Sequence, residues 1–250
     1  MSLIRARDVF FSYRETTVLE SVSFEIEAGS FVGLVGPNGS GKTTLLRMIQ
    51  GLIEPSSGAI ELEGRDLRQW SRKDVALRVA GVWQRPTLAF EFTARQLILL
   101  GRTPHMGMLK WETREDLAIA EEVMEQTETL HLADRTATHM SAGELQRVFI
   151  ASALAQRTRV LLLDEPTSFL DLRQAGRLSR ILSELMECGL TILCASHDIP
   201  LVRRHSTSVL LLEKGRPVEQ GDPGDMLTRR KLAEAFHVRE NDWYHDSHVG

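Results

Sequence analysis

The chain is short of the features that would place it in several large protein classes. Its 250 residues include only two cysteines, Cys188 and Cys194. That is too few for a disulfide framework and suits a reducing compartment. Cys194 lies close to His197, but no second ligand pair at matching spacing accompanies them, which argues against a zinc site. No run approaches the ~18 apolar residues that cross a bilayer. The N-terminus, Met1-Ser2-Leu3-Ile4-Arg5-Ala6-Arg7, lacks the apolar core of a signal peptide. Work at a membrane therefore implies another chain. Positive charge is not in excess either: 30 Lys and Arg against 34 Asp and Glu give a formal charge of −4, whereas nucleic-acid-binding domains are usually basic. We find no internal repeat and no low-complexity segment. What is present, 42% hydrophobic and 26% charged residues, is ordinary globular composition. The length fits one large domain or a domain with an inserted subdomain.

The apolar pattern predicts strands over residues 4–11 and 18–26, separated by residues 13–17. In the second, Val22, Phe24 and Ile26 alternate with Ser21, Ser23, Glu25 and Glu27, the period of a half-buried strand. A further strand over 31–35 leads through a glycine-rich stretch into a helix, which Pro55-Ser56-Ser57-Gly58 closes. Strands follow over 59–64 and 79–83, the latter ending at Gln84-Arg85-Pro86. From 93 to 156 the pattern is helical. One helix carries Ala94, Leu97, Ile98 and Leu100; a break covers 101–107. An acidic helix over about 112–129 has Leu117, Ala120, Val123 and Met124 as its apolar stripe. Continuous apolar runs at 160–164 and 190–195 read as buried parallel strands. Residues 209–213, a Lys214-Gly215 turn and Pro217-Val218 read as a closing hairpin. The last thirty or so residues predict one short helix and a loose tail. The expected architecture is an α/β core over about 1–86 and 157–250, interrupted by a helical insertion over 87–156.

The stretch Gly36-Pro37-Asn38-Gly39-Ser40-Gly41-Lys42-Thr43-Thr44 sits between a strand pattern and a helix pattern. Gly36, Gly41, Lys42 and Thr43 fit the phosphate-loop spacing G-x-x-x-x-G-K-S/T. Glycines let backbone N–H groups turn inward into a concave nest, and the new helix adds its positive end. A di- or triphosphate fits there, with Lys42 reaching the β- and γ-phosphates and Thr43 left for Mg²⁺. Asp164 and Glu165 end a buried strand at its carboxyl end, where open α/β sheets place ligands. Beside a phosphate loop, Asp164 can hold Mg²⁺ and Glu165 can orient or deprotonate a water. Ser141-Ala142-Gly143-Glu144 opens another helix as a capping box, and the same capped start is a second anion site. Ser196-His197-Asp198 is no hydrolase triad, because adjacent side chains cannot converge on one reacting atom.

The order of these pieces resembles the nucleotide-binding subunit of an ABC transporter over nearly the whole chain. The phosphate loop comes first, then Gln84 after a strand and Met140-Ser141-Ala142-Gly143-Glu144-Leu145-Gln146-Arg147. Leu161-Leu162-Leu163-Asp164-Glu165-Pro166-Thr167-Ser168, Phe169-Leu170-Asp171 and Ser196-His197-Asp198 complete it. The resemblance implies an ATP-hydrolysing P-loop core of the RecA-like kind, with an N-terminal antiparallel β subdomain and an inserted helical subdomain. It implies that Tyr13 stacks on adenine and that Lys42, Thr43 and Thr44 contact phosphates and Mg²⁺. Gln84 reaches Mg²⁺ and the water, Asp164 coordinates the metal, and Glu165 is the general base. Asp171 touches the opposite subunit, and His197 contacts the γ-phosphate. Two features depart from the pattern. Ala142 stands where the usual signature has glycine, adding a Cβ near a close backbone approach, and bulky Trp83 precedes Gln84.

One chain carries a phosphate nest at 36–44 and a second anion site at 141–144, separated by the insertion. The resemblance implies two copies packed head to tail, Ser141 of one completing the ATP site of the other, so that ATP binding favours a closed pair. It also implies docking on transmembrane permease subunits at the cytoplasmic face, supplied indirectly by a cargo-binding protein, with no nucleic acid involved. Leu100-Gly101-Arg102-Thr103-Pro104-His105, the acidic helix and Leu132-Ala133-Asp134-Arg135 resemble the importers of iron chelates, haem and cobalamin. A soluble ABC ATPase of translation or repair would carry paired domains or a long coiled-coil insertion. A GTPase would carry Asn-Lys-x-Asp, yet the only asparagines are Asn38 and Asn241. The intact Lys42, Asp164 and Glu165 argue against a binding-only relative.

Overall fold

A computed structural model describes residues 2–84, 90–106 and 111–239. The chain opens with β1 (Ser2–Tyr13) and β2 (Thr16–Glu27), then β3 (Phe31–Val35), α1 (Lys42–Ile49), β4 (Ser57–Leu62), β5 (Arg65–Asp66), α2 (Arg72–Ala76) and β6 (Val79–Val82). A helical set follows: α3 (Ala94–Leu100), α4 (Arg114–Gln126) and α5 (Ala142–Ala155), joined by short 3₁₀ turns. The core resumes with β7 (Val160–Asp164), α6 (Leu172–Glu187), β8 (Thr191–Ala195), α7 (Ile199–His205), β9 (Ser208–Glu213) and β10 (Arg216–Gly221). It ends on α8 (Pro223–Met226) and α9 (Arg229–Phe236).

Two sheets result. A small antiparallel sheet has the order β2-β1-β4-β5, and a larger one has the order β10-β9-β3-β8-β7-β6. In the larger sheet β3 runs parallel to both β8 and β9, and β7 parallel to β6 and β8. Only β10 turns back antiparallel, on β9. Strand alternation explains why Val160 to Leu163 of β7 are all apolar. Val160 and Leu162 enter the core shared with α1 and the small sheet, while Leu161 and Leu163 enter the one shared with α6. A strand buried on both faces cannot alternate with polar residues. The insertion has a third core of its own, built on Ile98, Val123, Met124, Val148 and Ala151.

Several expectations about elements are corrected. The acidic helix is shorter, and its inward face is Asp116, Ala120, Val123 and Met124, with Leu117 exposed at 43%. The spacing of 116, 120, 123 and 124 is that of one helical face, and 117 lies about 100° round from 116. Buried Asp116 is held by Arg102, whose Nε donates to it at 2.8 Å, and by the N-cap Thr113. Leu100, at the end of α3, is likewise exposed. The C-terminal region forms two short helices rather than one, because Asp222 with Pro223 starts α8 and Thr228 caps α9 separately. The first hairpin is tighter than expected: only Arg14 and Glu15 lie between the strands, with Arg14 at φ +53°. The β4 strand ends at Leu62, since Glu63 and Gly64 both take positive φ in the turn to β5. Arg85-Pro86, the Gly107 end of the predicted break and the tail from 240 onward lie outside the described residues. Among the described residues no helix is long and apolar enough to cross a membrane.

Candidate functional site

The phosphate loop leaves the central strand β3 and enters α1 with Gly41 as N-cap at φ +100°. An L side chain resists that conformation. Space is equally restrictive at Gly36, where a Cβ would lie 2.1 Å from the Leu212 carbonyl oxygen of β9. The loop is braced from outside by the turn between β9 and β10. Gly215 N donates to Ser40 O at 3.1 Å, while Gly215 O accepts from Glu20 N at 2.7 Å. One residue thus ties the loop to β2, and the Arg216 guanidinium doubles the tie by gripping Glu20. Lys42 lies under the loop, its Nζ donating to Gly36 O at 2.7 Å and Pro37 O at 3.1 Å. Burial pushes the Lys42 pKa down, and the charges of Glu165 and Asp164 oppose that.

Parallel pairing of β3 with β8, and of β8 with β7, brings the ends of three strands to one rim. Thr43 Oγ1 donates to Asp164 Oδ2 at 2.9 Å. Burial raises the Asp164 pKa, against the Thr43 hydrogen bond and with the added push of the Glu165 charge. The next residue, Glu165, has φ +51°, a left-handed kink that is uncommon off glycine and concentrates at functional sites. Its Oε2 stands 2.6 Å from His197 Nδ1 and accepts the His197 backbone N–H at 3.3 Å. Among the described residues its Oε1 is buried with no hydrogen-bond partner, as is the Ser40 hydroxyl. Lys42, Thr43, Thr44, Asp164, Glu165 and Gln84 share a cleft of about 300 Å³ with Asn38, Gly39 and Gly41. A hard cation in a phosphate site takes one or two protein oxygens beside phosphate oxygens. Thr43 and Asp164 offer that donor set, so Mg²⁺ fits here. Among the described residues no cluster of three or more His, Cys, Asp or Glu is placed to hold a metal on protein groups alone.

Ser141 heads α5 as expected: its Oγ accepts from Glu144 N at 3.3 Å, while Glu144 Oε2 accepts from Ser141 N at 2.8 Å. Within one chain this helix start is not in the phosphate cleft. Ala142 instead lines an adjoining cleft of about 390 Å³ that shares Gln84 and Glu165 with the first. Asp171 caps α6, accepting from Gln174 N at 2.8 Å. Phe169 and Leu172 beside it are exposed at 61% and 94%. Tyr13 ends β1, half-exposed and edge-on to Phe11 with ring centroids 4.7 Å apart. Val18, which the sequence did not single out, is the apolar residue that lines the phosphate cleft. Trp83 packs on the core between sheet and α1, with the Arg47 guanidinium 5.9 Å from its ring. Asp198 caps α7 by accepting from Leu201 N, and fully buried Ser196 accepts from Asp198 N. Neither is aimed at a common reacting atom with His197.

Sequence reading missed Gly215 and Gln174, because each works through a contact remote in sequence. The Lys214-Gly215 turn signal was visible, but its partner was not.

The profile of the ABC transporter family matches residues 19–168. The ferric enterobactin transport ATP-binding protein of Escherichia coli K12 is 34% identical over 237 residues, covering 94% of this chain and 88% of that protein. The hemin import ATP-binding protein of Nocardia farcinica is 37% identical over 219 residues, covering 88% and 75%. A bacterial ABC transporter cassette solved as a dimer superposes with a TM-score of 0.79 at 26% identity, over 88% of this chain and 98% of that one. A profile spanning more than half of the chain, joined by relatives alike along nearly all of it, settles the affiliation: this chain belongs to the ABC transporter family, as an ATP-binding subunit.

Proposed function

We propose that the chain hydrolyses ATP to drive import of an iron chelate, haem or cobalamin through a partner permease, acting at the cytoplasmic face of the membrane as a head-to-tail pair. The observation that carries the catalytic part is the gathering of Lys42, Thr43, Asp164, Glu165 and His197 on one rim, with Glu165 touching His197 at 2.6 Å. In this reading the loop backbone and Lys42 hold the phosphates of ATP, and Tyr13 stacks on the adenine. Thr43, Gln84 and Asp164 are the groups that would hold Mg²⁺, whose charge offsets that developing on the phosphate oxygens. Glu165 accepts a proton from the attacking water, the oxygen–phosphorus bond forms at the γ-phosphate, and the bond to the β-phosphate oxygen breaks to leave ADP. His197 holds the Glu165 carboxylate in place and faces the γ-phosphate.

Three observations support the paired arrangement. Ser141 is capped and exposed but outside the chain's own phosphate cleft. Phe169 lines the adjoining cleft and, with Asp171 and Leu172 close after it in the chain, is exposed, and a similar cassette is dimeric. The names of the ferric enterobactin and hemin relatives support the cargo class.

The test is Glu165→Gln. This variant is expected to bind ATP as the parent does, to lose turnover by at least about a hundredfold, and to run as a dimer in size exclusion only with ATP. Unchanged turnover would remove Glu165 from the role of base, and a monomer with bound ATP would remove the pair. For the transport role, the chain expressed with its genomic neighbours is expected to co-purify with a membrane-spanning protein.

A further inference from the structure

The start of α5 and the start of α6 come from different parts of the chain, yet they are joined by one side chain. Gln174 is the third residue of α6, and its backbone N–H is capped by Asp171. Its side-chain Oε1 accepts a hydrogen bond from Arg147 Nη1, in the second turn of α5. The Gln174 side chain also lies across Gly143, so closely that a Cβ on that glycine would fall 2.7 Å from it. Glycine in the first turn of α5 is therefore a matter of room for Gln174 as well as of backbone freedom. Arg147 is 2% exposed, and among the described residues its Nε has no hydrogen-bond partner. Burial pushes its pKa down from the ordinary arginine value. A buried guanidinium that has lost most of its hydration depends strongly on each acceptor it retains.

We propose that Gln174 is a positioning residue that locks the serine-headed end of α5 to the aspartate-headed end of α6, so that Ser141 and Asp171 reach the partner copy as one rigid body. The inference rests on the paired reading above and adds to it. Without the lock, each helix start would have to be aligned separately when two copies close on ATP, and closure would demand more ATP. The nucleotide cleft of the same chain does not involve Gln174, so nucleotide affinity before pairing is unaffected.

The test uses the full chain carrying Glu165→Gln, with Gln174→Met or Gln174→Glu added. Methionine keeps the length of the side chain but offers no oxygen; glutamate keeps the acceptor. With Met, the ATP concentration giving half-maximal dimer in size exclusion is expected to rise about tenfold, the scale of one hydrogen bond to a charged group. With Glu it should stay within about twofold of the parent, as an acceptor is retained. Fluorescent-ATP affinity at protein concentrations too dilute for pairing should be the same in all three. Amide exchange across residues 142–146 should quicken in the Met variant alone, a readout independent of pairing. The proposal is overturned if the Met variant dimerises at the parent's ATP concentration, if Glu is as impaired as Met, or if exchange is unchanged. If Glu165→Gln alone fails to pair on ATP, the paired reading falls, and this proposal falls with it. A normal Glu165→Gln pair beside an indifferent Gln174→Met sinks only the lock.

Discussion

Lys42 and Asp164 line one cleft where burial disfavours charge, and each pKa is moved so as to favour the neutral form. Such groups are stabilised by gaining a partner of opposite charge, which a polyphosphate and a divalent cation would supply to the two respectively. Lys42→Ala is expected to weaken ATP binding by roughly tenfold or more, the scale of a lost charge-assisted hydrogen bond, as read by titration calorimetry. Undiminished binding would count against the phosphate-loop reading. At this scale the sequence was informative wherever the chemistry is local. Gly36 to Thr44 stand out because a phosphate nest, as proposed, needs only consecutive residues. Asp164 and Glu165 stand out because an acidic pair closes an otherwise apolar strand. His197 could be placed only through the family order, since its partner Glu165 lies in another strand connection. Gly215 and Gln174 could not be placed at all, since a turn glycine and a helix glutamine carry no mark of what they brace.

The three helices of the insertion are pinned by a buried ion pair. Arg102, just beyond α3, bonds Asp116 of α4 and the Ala155 carbonyl at the end of α5. The periodicity of α4 revealed a helix but misjudged its inward face, because a charge was not expected there and its partner lay in the loop before it. Hydrogen bonds from Thr113, then Arg102, hold the Asp116 carboxyl down to about 2 from an ordinary 3.8. A folded-state value below the unfolded one means the group stabilises the fold above about pH 4 and that this contribution fades as pH falls towards 2. The shift corresponds to on the order of 2 kcal/mol. Asp116→Asn is expected to lower stability by about that amount at pH 7 in urea unfolding. The difference from the parent should shrink between pH 5 and pH 3. A difference that stays constant on acidification would show that the carboxylate charge is not what holds the helices together.

At the scale of the whole molecule, the proposed sharing of one ATP site between two copies would tie stability to concentration. In Glu165→Gln, saturating Mg²⁺ and ATP are expected to raise Tm, and to raise it further as protein concentration increases, since a ligand that binds only the folded pair adds stability by mass action. A Tm independent of protein concentration would argue for a single-chain site. The sheet order was not legible, because which strands neighbour one another is decided by packing between segments far apart in the chain. That order has a consequence during synthesis. The β3 strand, bearing the phosphate loop, pairs only with β8 and β9, and the loop is braced by Gly215. A ribosome adding about 5–20 residues per second leaves β3 without its neighbours for roughly ten to thirty seconds after it is made. A nascent chain halted before residue 191 would carry every residue of the loop and yet have no edge to hold it, leaving an apolar strand for chaperones to shield.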